Sequence, residues 1–238
     1  MLDRRAWTID SIINFLFWVF LGLAGVVVVG AVLTRWLTIE PQATREFVVG
    51  FTGMLVFYAA VLVGLVRLLR ANQLTWSEAF GLRNQPWPTV CRWAAGAAAV
   101  LFPVNLGLMF VAGRIFQALQ VAAPLQEHVQ LLQGSHDLWQ PVLIGFLAMF
   151  LAPVMEELLF RGLLYPGLKG AGFPRLAWWG TPLLFGLSHG NLLSLVPLTF
   201  FGLAQIWLYE RTNTLLVPIV THLLFNLINF LLALTFRV

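Results

Sequence analysis

Long apolar runs separated by short polar breaks organise the chain, at residues 12–33, 47–69, 93–116, 142–164, 176–188, 192–209 and 216–236. At 1.5 Å of rise per residue, about 20 helical residues cross a ~30 Å hydrocarbon core. The pattern therefore predicts an all-α, polytopic membrane helix bundle in which the fifth run, 176–188, is short for a span. The first run is longer than a signal-peptide core and reads as a retained helix. Residues 120–140 would be an eighth span, but they are polar, and Val121, Leu125, Val129 and Leu132 recur at helical spacing. That spacing predicts a helix lying on the outer surface. Seven to eight transmembrane helices form a single transmembrane domain over 1–238, with 141–236 as its core.

Composition agrees with this reading. In 238 residues, 60% of side chains are hydrophobic and 10% charged, with mean hydropathy +0.85, which excludes an ordinary soluble domain. With the N-terminus in the cytoplasm, the inner segments and helix ends carry Arg4, Arg5, Arg67, Arg70, Arg83, Arg92, Arg161, Lys169, Arg175 and Arg211. The outer ones carry Arg35, Arg45, Arg114 and Arg237. This bias obeys the positive-inside rule, so the net charge of +4 reflects orientation and implies no nucleic-acid partner. Trp7, Trp36, Trp76, Trp87, Trp93 and Trp139 fall near span ends, where interfacial tryptophans belong. Cys91 is the sole cysteine and has no intrachain partner for a disulfide.

Against this apolar background, the segment PVMEELLFRG at 153–162 places three charges inside the fourth run. Glu156 and Glu157 lie about 12 Å from the cytoplasmic end of that helix. Each charge costs roughly 2.5–3.5 kcal/mol at membrane depth, so its presence asks for a reason. Glu157 and Arg161, four apart, are positioned to pair on one face. Glu156 points about 100° away and is left to face a polar cavity.

Two further polar patterns fall at comparable depth. In FGLSH, His189 ends the fifth run; in HLLFN, His222 and Asn226 share one face of the seventh. A carboxylate, two imidazoles and an amide in one slab suit hydrolysis. The carboxylate takes a proton from water, a histidine positions the water or protonates the leaving amine, and a second histidine with an amide stabilises the oxyanion. Glu156, His189 and His222 would alternatively supply three zinc ligands, leaving a fourth position for water. Metal-free chemistry is favoured, because zinc would consume the carboxylate that serves as base. A serine protease using Ser188 with His222 leaves Glu156 without a role, and GLSHG at 186–190 lacks the strand context of a nucleophile elbow. Gly186 and Gly190 also fit a small-residue helix contact. A non-catalytic scaffold or sensor, or a proton-coupled transporter, would retain the same buried groups. Asn105 and Gln205 read as helix-packing residues, and His128 and His136 as surface residues.

Glu-Glu-x-x-x-Arg, Phe-x-x-x-His and His-x-x-x-Asn, in that order on successive helices, resemble the three motifs of the CPBP (CAAX protease and bacteriocin-processing, or Abi) family. FGLR at 80–83 is similar to a further feature of that family. The resemblance implies an intramembrane endopeptidase acting on a membrane-associated or lipidated peptide or protein. In it Glu156 and His189 activate water, His222 and Asn226 form the oxyanion hole, and Glu157 and Arg161 organise the site. A short chain without large extramembrane segments is similar to prokaryotic members, implying the cytoplasmic membrane of a prokaryote. Glu156, His189, His222 and Asn226 are expected to converge on one water-accessible cavity opening to the cytoplasm; coordinates that separate them by lipid-facing surfaces reject the site.

Overall fold

The structure is a computed structural model that describes residues 7–38, 42–121, 143 and 145–235. These residues form eight helices. They are α1 (Ile9–Trp36), α2 (Gln42–Ala71), α3 (Trp76–Phe80), α4 (Trp87–Ala118), the composite α5 (147–170), α6 (Pro174–Leu187), α7 (Leu192–Thr212) and α8 (Leu216–Thr235). Four segments, Asp10–Trp36, Thr44–Ala71, Trp87–Ala118 and Leu192–Thr212, are long and apolar enough to cross a membrane, with Leu216–Leu232 a shorter apolar helix. The chain is a polytopic helical membrane protein. Beyond residue 121, the surface helix expected over 120–140 lies outside the described residues, as do His128, His136 and Trp139. The short α3 has no counterpart in the apolar pattern because its five residues make barely more than one turn.

The chain divides into two compact units, Thr8–Ala79 and the combination of Met1–Trp7 with Phe80–Val238. In the first unit α1 and α2 pack against each other through small residues. A Cβ built on Gly64 would lie 2.7 Å from Trp18 Cβ, so only glycine admits that approach. The opposite face of α1 carries exposed Phe17, Phe20 and Val27, as a lipid-facing helix requires. Thr75 and Glu78 form a capping box at α3: the Thr75 N–H donates to Glu78 Oε2 at 2.9 Å, and the Glu78 N–H to Thr75 Oγ1 at 3.3 Å. Bonds from the Thr75 hydroxyl and backbone hold the Glu78 carboxyl below the usual carboxylate range.

In the second unit α4 packs on α7 and α8, while α5 packs on α6, α7 and α8. Leu101, Phe185 and Phe201 form a buried cluster with Phe160 and Phe225 against it. Asparagines set both ends of α7. The Asn191 side chain accepts from the Leu193 and Ser194 N–H groups, and Asn213 takes the left-handed conformation at φ 55° that stops the helix.

Helix α5 contains two π-helical turns that sequence periodicity did not predict. Leu147–Leu151 closes with the Ala152 N–H on the Leu147 carbonyl, and Phe160–Leu164 with the Tyr165 N–H on the Phe160 carbonyl. Just beyond, Pro166 occupies the position whose N–H would bond the Gly162 carbonyl in an α-helix, and proline has none to give. The indole of Trp7 supplies it instead, donating to Gly162 O at 3.1 Å. Trp7, expected near a span end, lies just before α1 and is 4% exposed, because it serves a buried carbonyl. The expected pairing of Gly186 and Gly190 is likewise corrected. A Cβ on Gly186 would meet the Leu195 carbonyl at 2.9 Å, whereas Gly190 lies past the helix end at φ +64° with open space around it.

Replacing Trp7 by Phe leaves the Gly162 carbonyl without that donor. The expected cost is about 1–3 kcal/mol, read as a lower thermal midpoint in detergent. Adding Pro166→Ala, which restores an N–H at the helical position, should return part of the loss. A Trp7→Phe midpoint equal to that of the unaltered protein would refute this account.

Candidate active site

The middle of α5 carries Glu157 and Arg161, both fully buried, and their four-residue spacing brings Arg161 Nη1 to 3.0 Å from Glu157 Oε1. A buried charge is tolerable only when paired and hydrogen-bonded. Arg161 Nη2 donates to the Gly202 carbonyl of α7 at 3.2 Å, and the guanidinium carbon lies 4.5 Å from the centre of the Phe185 ring. Gly202 makes room: a Cβ there would sit 3.0 Å from Pro182 Cβ and 3.3 Å from Arg161 Nη2.

Glu157 Oε1 accepts two more bonds, from Gln205 Nε2 on α7 at 3.1 Å and from His222 Nδ1 on α8 at 2.9 Å. An ionised carboxylate can only accept, so His222 Nδ1 carries its proton toward Glu157. That fixes what the other ring nitrogen can do. His222 Nε2 faces Glu156 Oε2 at 3.7 Å, and the Glu156 side chain is 24% exposed. Thus Glu156, which points away from the Glu157–Arg161 face, meets a histidine on α8.

Charge bookkeeping over these four groups is informative. Arg161 and Glu157 cancel. The Glu156–His222 pair is neutral either as carboxylate with imidazolium or as carboxylic acid with neutral imidazole. The two forms differ by one proton placed between Oε2 and Nε2, and neither leaves net charge in apolar surroundings. A carboxylate that can trade a proton with an imidazole, and is itself partly exposed, is suited to general base chemistry.

His189 reaches the same cluster by a different route. At the end of α6 its Nδ1 lies 2.8 Å from the Phe185 carbonyl one turn earlier, so Nδ1 donates and Nε2 is left as acceptor. The Phe185 ring touches His189 at 4.9 Å and His222 at 6.0 Å between centroids, and Phe201 packs on His222 at 4.9 Å. This explains the Phe-x-x-x-His spacing: one phenylalanine binds the histidine of its own helix and spaces it from Arg161 and His222. No hydrogen bond links His189 to Glu156 among the described residues, and His189 is exposed. Asn226 follows His222 by one turn of α8 and is half-buried. Ser188 Oγ donates to the Phe185 carbonyl at 2.8 Å, which commits its proton to its own helix.

Among the described residues no group of three or more His, Cys, Asp or Glu side chains is arranged to hold a metal ion. A groove of about 550 Å³ lies between α4 and α7, lined by Arg92, Trp93, Gly96, Ala97, Ala204 and Trp207 among others, and includes none of the four proposed catalytic residues. Gln205, read from the sequence as a helix-packing residue, is fully buried and bonds both α5 and α8 from α7.

Removing one partner of the buried pair is the sharpest test of this arrangement. Arg161→Met should cost about 3–5 kcal/mol in unfolding measurements in micelles, because Glu157 is left as an uncompensated buried charge. The double variant Arg161→Met with Glu157→Gln should lose less than the sum of the singles, with a coupling of about 0.5–3 kcal/mol. Additive losses would mean that the two groups do not interact.

Comparisons with known proteins bear on this arrangement. The sequence model of the type II CAAX prenyl endopeptidase Rce1-like family matches residues 138–228. The Bacillus subtilis (strain 168) protein named "Putative membrane peptidase YdiL" is 30% identical over 95 residues. That alignment covers 40% of this chain and 39% of the relative, so the chain spans about two fifths of the protein it matches. No solved structure matches the chain significantly. The matched residues contain all three motifs together with Glu157, Arg161, Gln205 and His222, so residues 138–228 are similar to the Rce1-like type II CAAX prenyl endopeptidase family over the part of the chain that builds this site.

Proposed function

We propose that the chain is an intramembrane endopeptidase that hydrolyses a peptide bond of a membrane-associated or lipidated peptide or protein by glutamate-activated water. The observation that carries this reading is the placement of Glu156 Oε2 3.7 Å from Nε2 of a histidine whose other nitrogen is held by buried Glu157. The family match supports it independently.

In this mechanism Glu156 takes a proton from water as the water oxygen bonds to the carbonyl carbon, and the carbonyl π electrons move to oxygen. His189, with Nδ1 held by Phe185, presents Nε2 to orient that water. The oxyanion is met by the Nε2–H of His222 in its imidazolium form and by the Asn226 amide. As the C–N bond breaks, the proton held by Glu156 passes to the leaving nitrogen, yielding a carboxylic acid and an amine. Glu157 and Arg161 touch no reacting atom in this scheme; they hold His222. The seven-span topology with a cytoplasmic N-terminus and the location in a prokaryotic cytoplasmic membrane belong to the same proposal, supported by the cationic bias of the inner segments.

Glu156→Gln should lower cleavage of a membrane-embedded peptide in proteoliposomes by at least about a hundredfold. Its elution and thermal midpoint should match the unaltered protein, since the side chain is partly exposed. Ser188→Ala should remain active. Equal turnover by Glu156→Gln and the unaltered protein would sink the catalytic assignment, and loss of activity in Ser188→Ala alone would replace it with a serine mechanism. Mapping cleavage termini in membranes with and without Glu156→Ala identifies the substrate.

A further inference from the structure

The amide of Gln205 is fully buried in α7 and donates two hydrogen bonds from one nitrogen, to Glu157 Oε1 at 3.1 Å and to the Pro218 carbonyl at 2.8 Å. Both partners are acceptors only. Turning the amide over would set its oxygen against a carboxylate and a carbonyl, so the hydrogen-bond chemistry fixes its orientation. Pro218 lies one helical turn before His222 on α8. One planar group therefore ties the carboxylate of α5 to the turn of α8 that presents His222.

Helix packing alone does not ask for this. A leucine would fill similar volume in an apolar span without placing a polar group there. The terminal torsion of a glutamate is broad, and Arg161 alone leaves the Glu157 carboxylate free to swing about it. A third, neutral donor from a different helix holds Oε1 where His222 Nδ1 meets it. We propose that Gln205 is a positioning residue: by locking Glu157 Oε1 and bracing the His222 turn, it keeps the His222 proton on Nδ1 and aims Nε2 at Glu156. This rests on the reading of Glu156 and His222 as the working pair.

The charged and titratable groups around Glu157 are Arg161 and Glu156 on α5 and His222 on α8. Helix α7 contributes only the neutral Gln205 and the Gly202 carbonyl, and α6 contributes Phe185 with His189 beyond it. Gln205 is thus the neutral member of the set, and changing it perturbs the site without removing a charge.

The test uses the full chain in lipid nanodiscs with 15N-labelled histidine, the His222 ring signals being identified by their loss in His222→Asn. In the unaltered protein Nδ1 is the protonated nitrogen whenever the ring is neutral. Gln205→Leu should give a mixture of ring tautomers and a loss of about tenfold or more in kcat/KM, mainly in kcat, with a displaced pH profile. Gln205→Glu donates a proton only when its carboxyl is neutral, so its activity relative to the unaltered protein should recover as pH falls, while that of Gln205→Leu does not. Unchanged ring signals in Gln205→Leu would overturn the positioning role. If Gln205→Leu does not fold, Gln205→Asn, one methylene too short to reach both acceptors, carries the same measurement with the same two outcomes. Altered ring signals together with no cleavage by the unaltered protein would keep the positioning role and remove the protease reading.

Discussion

A buried arginine that must be neutralised is the constraint around which the second unit is arranged. Arg161 is fully enclosed, in a part of the molecule otherwise built from phenylalanine and leucine, and a lone guanidinium there would be prohibitively costly. Glu157 lies one turn away on the same helix and cancels the charge, but one carboxylate does not satisfy a guanidinium with five donors. The Gly202 carbonyl of α7 takes a second donor, and the face of Phe185 on α6 covers the cation. Meeting the needs of one side chain thereby ties α5 to two other helices.

The carboxylate extends the same logic to α8. Glu157 Oε1 accepts from Arg161, Gln205 and His222, so the group that neutralises Arg161 also orients the histidine. What is rigid and what is available follow from burial. Glu157 is fully enclosed and accepts three hydrogen bonds at one oxygen, which suits a fixed reference; Glu156, one residue earlier, is partly exposed and faces His222 Nε2. Two adjacent glutamates thus acquire different surroundings from a 100° turn of the helix. At the other end of α5, Tyr165 and Lys169 both bond Glu210 of α7, adding a further polar tie between the same two helices.

The π-helical turn at Phe160–Leu164 and Pro166 make the C-terminal half of α5 dependent on its surroundings. The carbonyl left without its helical partner is served by Trp7, a residue 155 positions away in the chain. Membrane helices tolerate such interruptions only where neighbouring protein re-satisfies the freed group. Here the neighbour is the residue that precedes the first span.

Much of this was legible in the chain itself. Period and length of the apolar runs identify the helices, because a bilayer leaves the backbone no alternative to internal hydrogen bonding, and the ends of α1, α2, α4, α7 and α8 fall within a few residues of the runs. The Glu157–Arg161 pair was also legible, since both residues sit on one helix and their distance follows from local geometry alone. Contacts between helices were not. That Glu157 holds His222 and Gln205, that Gln205 bonds the Pro218 carbonyl, and that Trp7 is buried against the Gly162 carbonyl depend on how separate elements pack. Lipid-facing and core-facing positions are equally apolar in such a chain, so hydrophobic pattern carries little information about rotation of one helix against another. Only packing, governed by where small residues such as Gly202 admit a neighbour, decides it.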